Sequence, residues 1–372
     1  MRKNIRILLA LTGLIAYLAL VGGCATTRLH YATPSPQEKL TFPRDHGAHK
    51  DFQTEWWYFT GHLELTDGTN TGFELVFFRR RTEKDRMWGM PVKWIAGNPL
   101  YLAHFAITDP SKNRFVYSEN KGKSPYAGAK AGKMLVWCGP WIADMFEDGT
   151  ILLSSSMRDY AINLVLTPKR PPVLHGDKNG ISRKGEQGGS GYYYSLTRMG
   201  VQGYLRKDKK YIKVKKGLAW MDHEFFSLDL AKNLAGWDWF SVQLDDGTDM
   251  MAFLLHRPDG TIDPYSSGTL VSPDGSIYRF TRDAFSVEEM AYWKSHKSKG
   301  KYPVKWRIKI PKENIDLELS AVMPNQELIT KYTHINYWEG EMHVSGKRGG
   351  KKVKGKGYVE ITGRDKPIYK SM

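Results

Sequence analysis

Asp222 and His223 follow Trp220 and precede the aromatic run Trp237-Asp238-Trp239. Carboxyl, imidazole and indole groups in this order could do acid–base chemistry against aromatic faces, and adding water to an isolated alkene is one reaction they would suit. That reaction takes a proton delivered to carbon and a water delivered to the tertiary cation that results. The acid must stay protonated in an apolar site, and burial raises a carboxyl pKa in that direction. Aromatic faces stabilise the cation. On this reading Asp222 or Asp238 is the acid, His223 orients it or the water, and Trp220 and Trp239 face the cation. A plainer reading makes Asp222, His223 and Glu224 a buried hydrogen-bond cluster that braces two halves of the molecule.

Glu55-Trp56-Trp57-Tyr58 is an N-terminal counterpart. In a strand, Glu55 and Trp57 share one face while Trp56 and Tyr58 share the other. An inward Glu55 is either paired with an arginine, such as Arg79, or functional. Tyr337-Trp338-Glu339 repeats the pattern. The candidate ligand-binding residues are therefore Glu55, Trp57, Trp220, Trp237 and Trp239, beside the candidate catalytic set Asp222, His223 and Asp238. Other chemistries fit less well. His46 and His49 are three apart with Asp45 adjacent, but no cysteine pair supports zinc and no His-Glu-x-x-His motif occurs. That loop reads as a turn whose side chains tie down backbone, and no metal is expected. Gly189-Ser190-Gly191 lacks the spacing of a nucleophile elbow. There is no phosphate loop and no dinucleotide fingerprint, so no cofactor is expected.

These residues need strands to hold them. The chain has 372 residues, 36 of them glycine, and 13% are aromatic. Short alternating aromatic runs broken by turn residues favour β-sheet. Asp67-Gly68, Asp148-Gly149, Asp246-Gly247 and Asp274-Gly275 each separate two apolar runs, a strong hairpin signal. Helix signals are few; propensity predicts one short helix over 283–293. An aromatic strand, an Asp-Gly-Thr turn and an apolar return strand ending at arginine occur first at 56–79 and again at 237–257. Such an echo implies a duplicated β domain, with the joint in the Lys/Gly-containing stretch 206–217. Each half would close into a small barrel, which removes exposed edges and can hold an apolar ligand in its mouth.

The N-terminus carries Arg2, Lys3 and Arg6 before an apolar run over 7–21, the layout of a secretory signal. Leu20-Val21-Gly22-Gly23-Cys24 resembles the bacterial lipobox, with Cys24 as the lipidated residue. The expected organisation is a signal peptide over 1–23, a lipidated tether over 24–41, and an exported body anchored to membrane. Ala25 after the cysteine resembles the sorting pattern for the outer membrane. Once Cys24 is lipidated, only Cys138 remains, so no internal disulfide forms and the body relies on burial. The formal charge of +16 is concentrated in clusters at 206–210, 294–301 and 347–356, which read as solvated hairpin loops. Nucleic acid is not an expected partner outside the cytoplasm. A basic face could lie against anionic lipid, or simply keep the protein soluble.

Several blocks together resemble one family. Phe42-Pro43-Arg44-Asp45-His46-Gly47-Ala48-His49 leads to Thr54-Glu55-Trp56-Trp57-Tyr58, and Pro172-Val173-Leu174-His175-Gly176-Asp177 leads to Tyr192-Tyr193-Tyr194-Ser195. Gly217-Leu218-Ala219-Trp220-Met221-Asp222-His223-Glu224-Phe225, Gly236-Trp237-Asp238-Trp239-Phe240, Tyr337-Trp338-Glu339-Gly340 and Gly357-Tyr358-Val359-Glu360 follow. The set, spanning 42–363, is similar to the AttH-like proteins, relatives of the carotenoid 1,2-hydratases (hydroxyneurosporene synthase). The resemblance implies an all-β fold of two lipocalin-like antiparallel barrels packed side by side, divided as 42–208 and 209–372. It also implies hydratase chemistry on an isoprenoid. Two positions depart from the hydratases: Phe225 stands where they have Trp, and Arg364 where many relatives have Tyr. Three functions follow: a lipid-anchored envelope protein that binds an apolar lipid or isoprenoid, a hydratase, or a partner of an envelope transporter.

Overall fold

A computed structural model describes residues 30–82, 86–87, 90–91, 99–185, 189–227 and 234–368. The leader and Cys24 lie outside them. The first strands are β1 (Thr54–Leu65) and β2 (Asn70–Arg80), then a small separate hairpin, β3 (Arg86–Met87) and β4 (Met90–Pro91). The chain continues through β5 (Leu100–Asp109), β6 (Arg114–Gly122), β7 (Ala127–Ala129), β8 (Leu135–Cys138), β9 (Trp141–Met145), β10 (Ile151–Ser156) and β11 (Tyr160–Pro168). Two short strands, β12 (Val173–Leu174) and β13 (Ile181–Arg183), precede a long hairpin of β14 (Ser190–Lys207) and β15 (Lys210–Phe226). A second run begins with β16 (Gly236–Leu244), β17 (Asp249–His256), β18 (Ser267–Val271), β19 (Ile277–Thr281) and β20 (Ser286–Lys294). It ends with β21 (Lys301–Ile310), β22 (Ile315–Ala321), β23 (Glu327–Leu328), β24 (Tyr337–Arg348) and β25 (Lys351–Thr362).

The two runs form two curled antiparallel sheets, a near-barrel and a half-barrel, with one wiring plan. In the first sheet β1 pairs with β2 on one side and with the last strand, β15, on the other; the break falls between the consecutive strands β6 and β7. In the second, β16 pairs with β17 and with the last strand, β25, and the break falls between β19 and β20. The sequence echo is the repeated central hairpin of this plan. Gly68 and Gly247 sit in its two turns at φ of 86° and 91°, a region open mainly to glycine.

Two expectations change. The hairpin of β14 and β15 contains 206–217 and is internal to the first sheet, so this stretch does not join the halves. The chain crosses to the second sheet between Phe226 and Gly236. The segment 283–293 is not helical: after a 3-10 turn at Arg282–Ala284 it runs as β20, paired with β21. Its helix-favouring Glu-Glu-Met-Ala run is overridden by the sheet ladder, and its side chains alternate between exposed and half-buried.

Strand alternation then sorts side chains into three layers. Inside the first sheet lie Trp57, Phe59, Phe77, Phe105, Trp141 and Met221 with their neighbours. Inside the second lie Phe240, Val242, Trp306, Trp338 and Val359. The third layer lies between the sheets, where their outer faces meet over Tyr58, Tyr193, Trp220, Trp239, Phe253 and Tyr358. Each such aromatic contributes about 1.5–3 kcal/mol on burial. Polar contacts lock this interface. Arg198 bonds Asp249 at 2.6 Å, Gln243 Nε2 donates to the Thr197 carbonyl at 2.7 Å, and His62 bonds Glu341 at 2.7 Å.

Candidate functional site

β15 sets the chemistry because its neighbours in sequence face opposite ways. Trp220, Asp222, Glu224 and Phe226 point into the layer between the sheets, whereas Ala219, Met221, His223 and Phe225 point into the first sheet. Asp222 borders a cavity of about 60 Å³, whose wall also includes Trp56, Tyr58, Tyr193, Glu224 and Glu360. Trp237 and Trp239 close it from the second sheet. The rings form tilted and edge contacts, with Trp56 to Trp237 at 6.0 Å and Tyr58 to Trp239 at 5.6 Å between centroids.

The Asp222 carboxyl is clamped on one oxygen. The Trp220 indole donates to Oδ1 at 2.8 Å, and the Ser195 hydroxyl donates to the same atom. Behind Ser195, His175 Nε2 lies 2.6 Å from Oγ, and His175 Nδ1 lies 2.9 Å from the Thr269 hydroxyl. Burial pushes His175 down to about 3, so its ring is neutral. One assignment then satisfies every atom: Thr269 O–H to Nδ1, Nε2–H to Ser195, and Ser195 O–H to Asp222. With Oδ1 accepting twice, Oδ2 is the oxygen left to carry a proton. Burial pushes the carboxyl up to about 7, opposed by the bonds from Ser195, Trp220 and Tyr193 and assisted by nearby Glu224. Glu224 itself pairs with Lys184 at 2.5 Å.

The other candidate residues fall elsewhere. Glu55, Trp57 and His223 lie on the inner side of the first sheet and do not reach Asp222. Glu55 takes Arg79 Nε at 3.0 Å, His49 Nδ1 at 2.8 Å and His223 Nε2 at 3.0 Å. Burial opposes ionisation here, but the Arg79 charge and the two imidazole bonds outweigh it and hold the carboxyl below its usual range. Trp57 stacks on His223 at 4.8 Å, and its indole donates to the His46 carbonyl. His223 therefore cannot orient Asp222; strand alternation sends the two to opposite faces. Asp238 is inside the second sheet, bonded to Arg364 at 2.7 Å and to His256 at 2.7 Å. Against the effect of burial these partners keep it ionised, which removes it as a proton donor. Trp220 sits behind the acid rather than on the cavity wall.

The site's unanticipated members are Tyr193, Ser195, His175, Glu360 and Lys184, the partner of Glu224. Most stood inside quoted sequence blocks; their convergence depends on which sheet faces meet. Among the described residues, one group of donor atoms converges closely enough to hold a metal ion: His49, Glu55 and His223, all within 4.8 Å of one another. Arg79 already shares the Glu55 charge there.

Fold and site thus define a double lipocalin-like β protein with a buried acid between its two sheets. The chain belongs to the AttH-like family, whose profile matches residues 33–364. It is similar to a putative AttH of Nitrosomonas europaea, with 32% identity over 90% of this chain and 99% of that one, at a TM-score of 0.80. Kievitone hydratase of Nectria haematococca shares the fold at 16% identity and a TM-score of 0.67, over 90% and 96% of the two chains. The protein CghA does so at 15% identity and 0.56, over the same shares. No curated protein matches.

Proposed function

We propose that the cavity between the sheets is an acid-catalytic site that adds water to a carbon–carbon double bond of an apolar substrate of isoprenoid type. The observation that carries this reading is Asp222: a buried carboxyl, fixed through one oxygen, on the wall of an aromatic cavity. Asp222 Oδ2 gives its proton to one alkene carbon, and the π pair becomes the new C–H bond. The cation left on the neighbouring carbon faces Trp239 and Trp56. Water bonds to that carbon and gives up a proton to Glu224, whose carboxyl pKa burial raises despite the opposing charge of Lys184, so that it can take up and later release a proton. Glu224 lies two residues from Asp222 on one strand face, about 7 Å away, which leaves room for the reacting carbon and the water between them. A fold relative named as a hydratase supports this class of reaction. The body is exported and anchored through Cys24, with its substrate in the envelope.

The test incubates the body with a panel of prenylated and polyprenyl alkenes in ¹⁸O-labelled water, with mass detection of the hydrated product. Label in the product of the parent protein and none with Asp222→Asn supports the reading. An apolar compound that co-purifies stoichiometrically, binds Asp222→Asn equally and is never hydrated would make the protein a carrier instead. No ligand and no turnover across the panel would favour a partner protein, such as an envelope transporter. Loss of the protein from membranes on Cys24→Ser tests the anchor.

A further inference from the structure

Beside Asp222, the layer between the sheets holds more carboxyls than it has cations to pair with. Glu360 borders the cavity. Glu339 stands directly opposite Glu360 on the neighbouring strand, a placement that disfavours two like charges. Glu339 is fully buried, with the neutral Tyr58 hydroxyl beside it and no cation bonded to either oxygen among the described residues. Glu74, from β2 of the other sheet, receives the Tyr337 hydroxyl on one oxygen at 2.9 Å and has no partner on the other. Tyr337 in turn meets His104 Nδ1 at 2.7 Å. The groups facing Glu339 are Glu74 of β2, Glu360 of β25, Tyr58 of β1 and Asp222 of β15, all neutral or acidic. The nearby cation Lys184 is committed to Glu224, and His62, whose pKa burial lowers, bonds Glu341 as a neutral ring. A buried carboxylate without a cation costs several kcal/mol, so such a group keeps its proton instead.

We propose that the buried Glu339 and Glu74, with the half-buried Glu360 at the cavity wall, form a proton store that recharges Asp222 through Glu360. This rests on the assignment of Asp222 as the proton donor. After Asp222 protonates the substrate, Glu360 passes its proton through cavity water to the Asp222 carboxylate. Glu339 and then Glu74 refill Glu360. The proton that the attacking water leaves on Glu224 returns through the cavity to the depleted store, so the proton count is unchanged over a turnover. The three glutamates act through Asp222 and do not touch the substrate carbon. Burial raises all three carboxyls, Glu360 to about 7 and the other two in the same direction.

Infrared difference spectroscopy on the resting protein tests this without a substrate. Protonated carboxyl bands should persist at about pH 7, where a solvated glutamate is ionised. Asp222→Asn identifies the Asp222 band. Glu339→Gln and Glu74→Gln, isosteric and neutral, should each remove one further band and leave the β-sheet signal intact. After a pH jump from alkaline to neutral, Glu360→Gln should slow the return of the Asp222 band severalfold. If Glu339→Gln fails to fold, Glu74→Gln carries the same test. The proposal is overturned if no protonated carboxyl beyond Asp222 exists at pH 7, if bands are unchanged in both variants, or if Glu360→Gln leaves the return rate as it was. Bands that behave as expected in a protein that hydrates nothing would keep the store and sink the hydratase reading. The converse pattern would do the opposite.

Discussion

Two buried carboxyls of the first sheet are prepared for opposite tasks. Glu55 is surrounded by Arg79, His49 and His223 and is held as an anion. Asp222, one strand over and on the opposite face, has the Ser195 and Tyr193 hydroxyls and an indole for partners and no cation, so burial favours its neutral form. The same type of substitution should separate them. Asp222→Asn keeps an oxygen for Ser195 and Trp220 and replaces one neutral group with another. Its stability should stay within about 1 kcal/mol of the parent, while hydration falls to background. Glu55→Gln leaves the buried Arg79 charge without its partner and should cost about 3–5 kcal/mol. Urea unfolding of both variants checks the contrast. A large loss of stability in Asp222→Asn would instead make Asp222 a brace. Ser195→Ala removes one of the two donors that fix Oδ1. It should lower turnover more than substrate binding, which a kcat against KM comparison reads out.

At the scale of elements, the approach of β2 to the second sheet sets how tightly the interface closes. A Cβ placed on Gly72 would stand 2.3 Å from the Tyr358 hydroxyl and 2.8 Å from Glu341 Oε2. Gly72→Ala should therefore push the sheets apart and cost about 1–3 kcal/mol, the range for overpacking a core. A thermal melt measures it; an unchanged melting temperature would mean that the sheets tolerate a looser fit. Strands and turns of this kind were legible in the sequence because their signals are local. Each Asp-Gly pair marked a hairpin, and the echo at 56–79 and 237–257 marked the central hairpin of each sheet. The segment 283–293 misled because helix propensity is also local, while the β21 ladder that captures it is not. The site was half legible. Asp222, Trp237 and Trp239 reach the cavity because outward faces of β15 and β16 meet. His223 and Asp238 carry the same chemical types but occupy inward faces, and no sequence period says which face of one sheet will meet which face of another.

At the scale of the whole molecule, the interface between the sheets stores acid groups whose folded-state pKa values lie above their unfolded ones. Asp222 and Glu360 are each raised to about 7, and Glu74 and Glu339 are raised as well. The folded state therefore holds protons that the unfolded chain has released once the pH exceeds roughly 4–4.5. By linkage, stability falls where the unfolded state binds fewer protons. This contribution is complete below the unfolded carboxyl values and is lost as the pH rises through the folded ones. Glu55 and Asp45 have lowered values and act the other way, their stability being lost progressively as the pH falls below the unfolded carboxyl range of roughly 4–4.5. Burial lowers the pKa of His46, His62, His104, His175 and His223, which stay neutral while the unfolded chain binds protons below about pH 6.5; they oppose the carboxyl slope there, so the carboxyls govern only above that pH. Between about pH 6.5 and pH 8, each retained proton should cost roughly 1.4 kcal/mol per pH unit until its group ionises. Urea midpoints measured across that window should fall with pH, and Glu74→Gln/Glu339→Gln should flatten the slope by removing two groups that must otherwise be charged or protonated inside the interface. A parent protein whose midpoint is level or rising from about pH 6.5 to 8 would show that these carboxyls are ionised and compensated in the fold, and the layer between the sheets would lose both its pH sensitivity and its proton store.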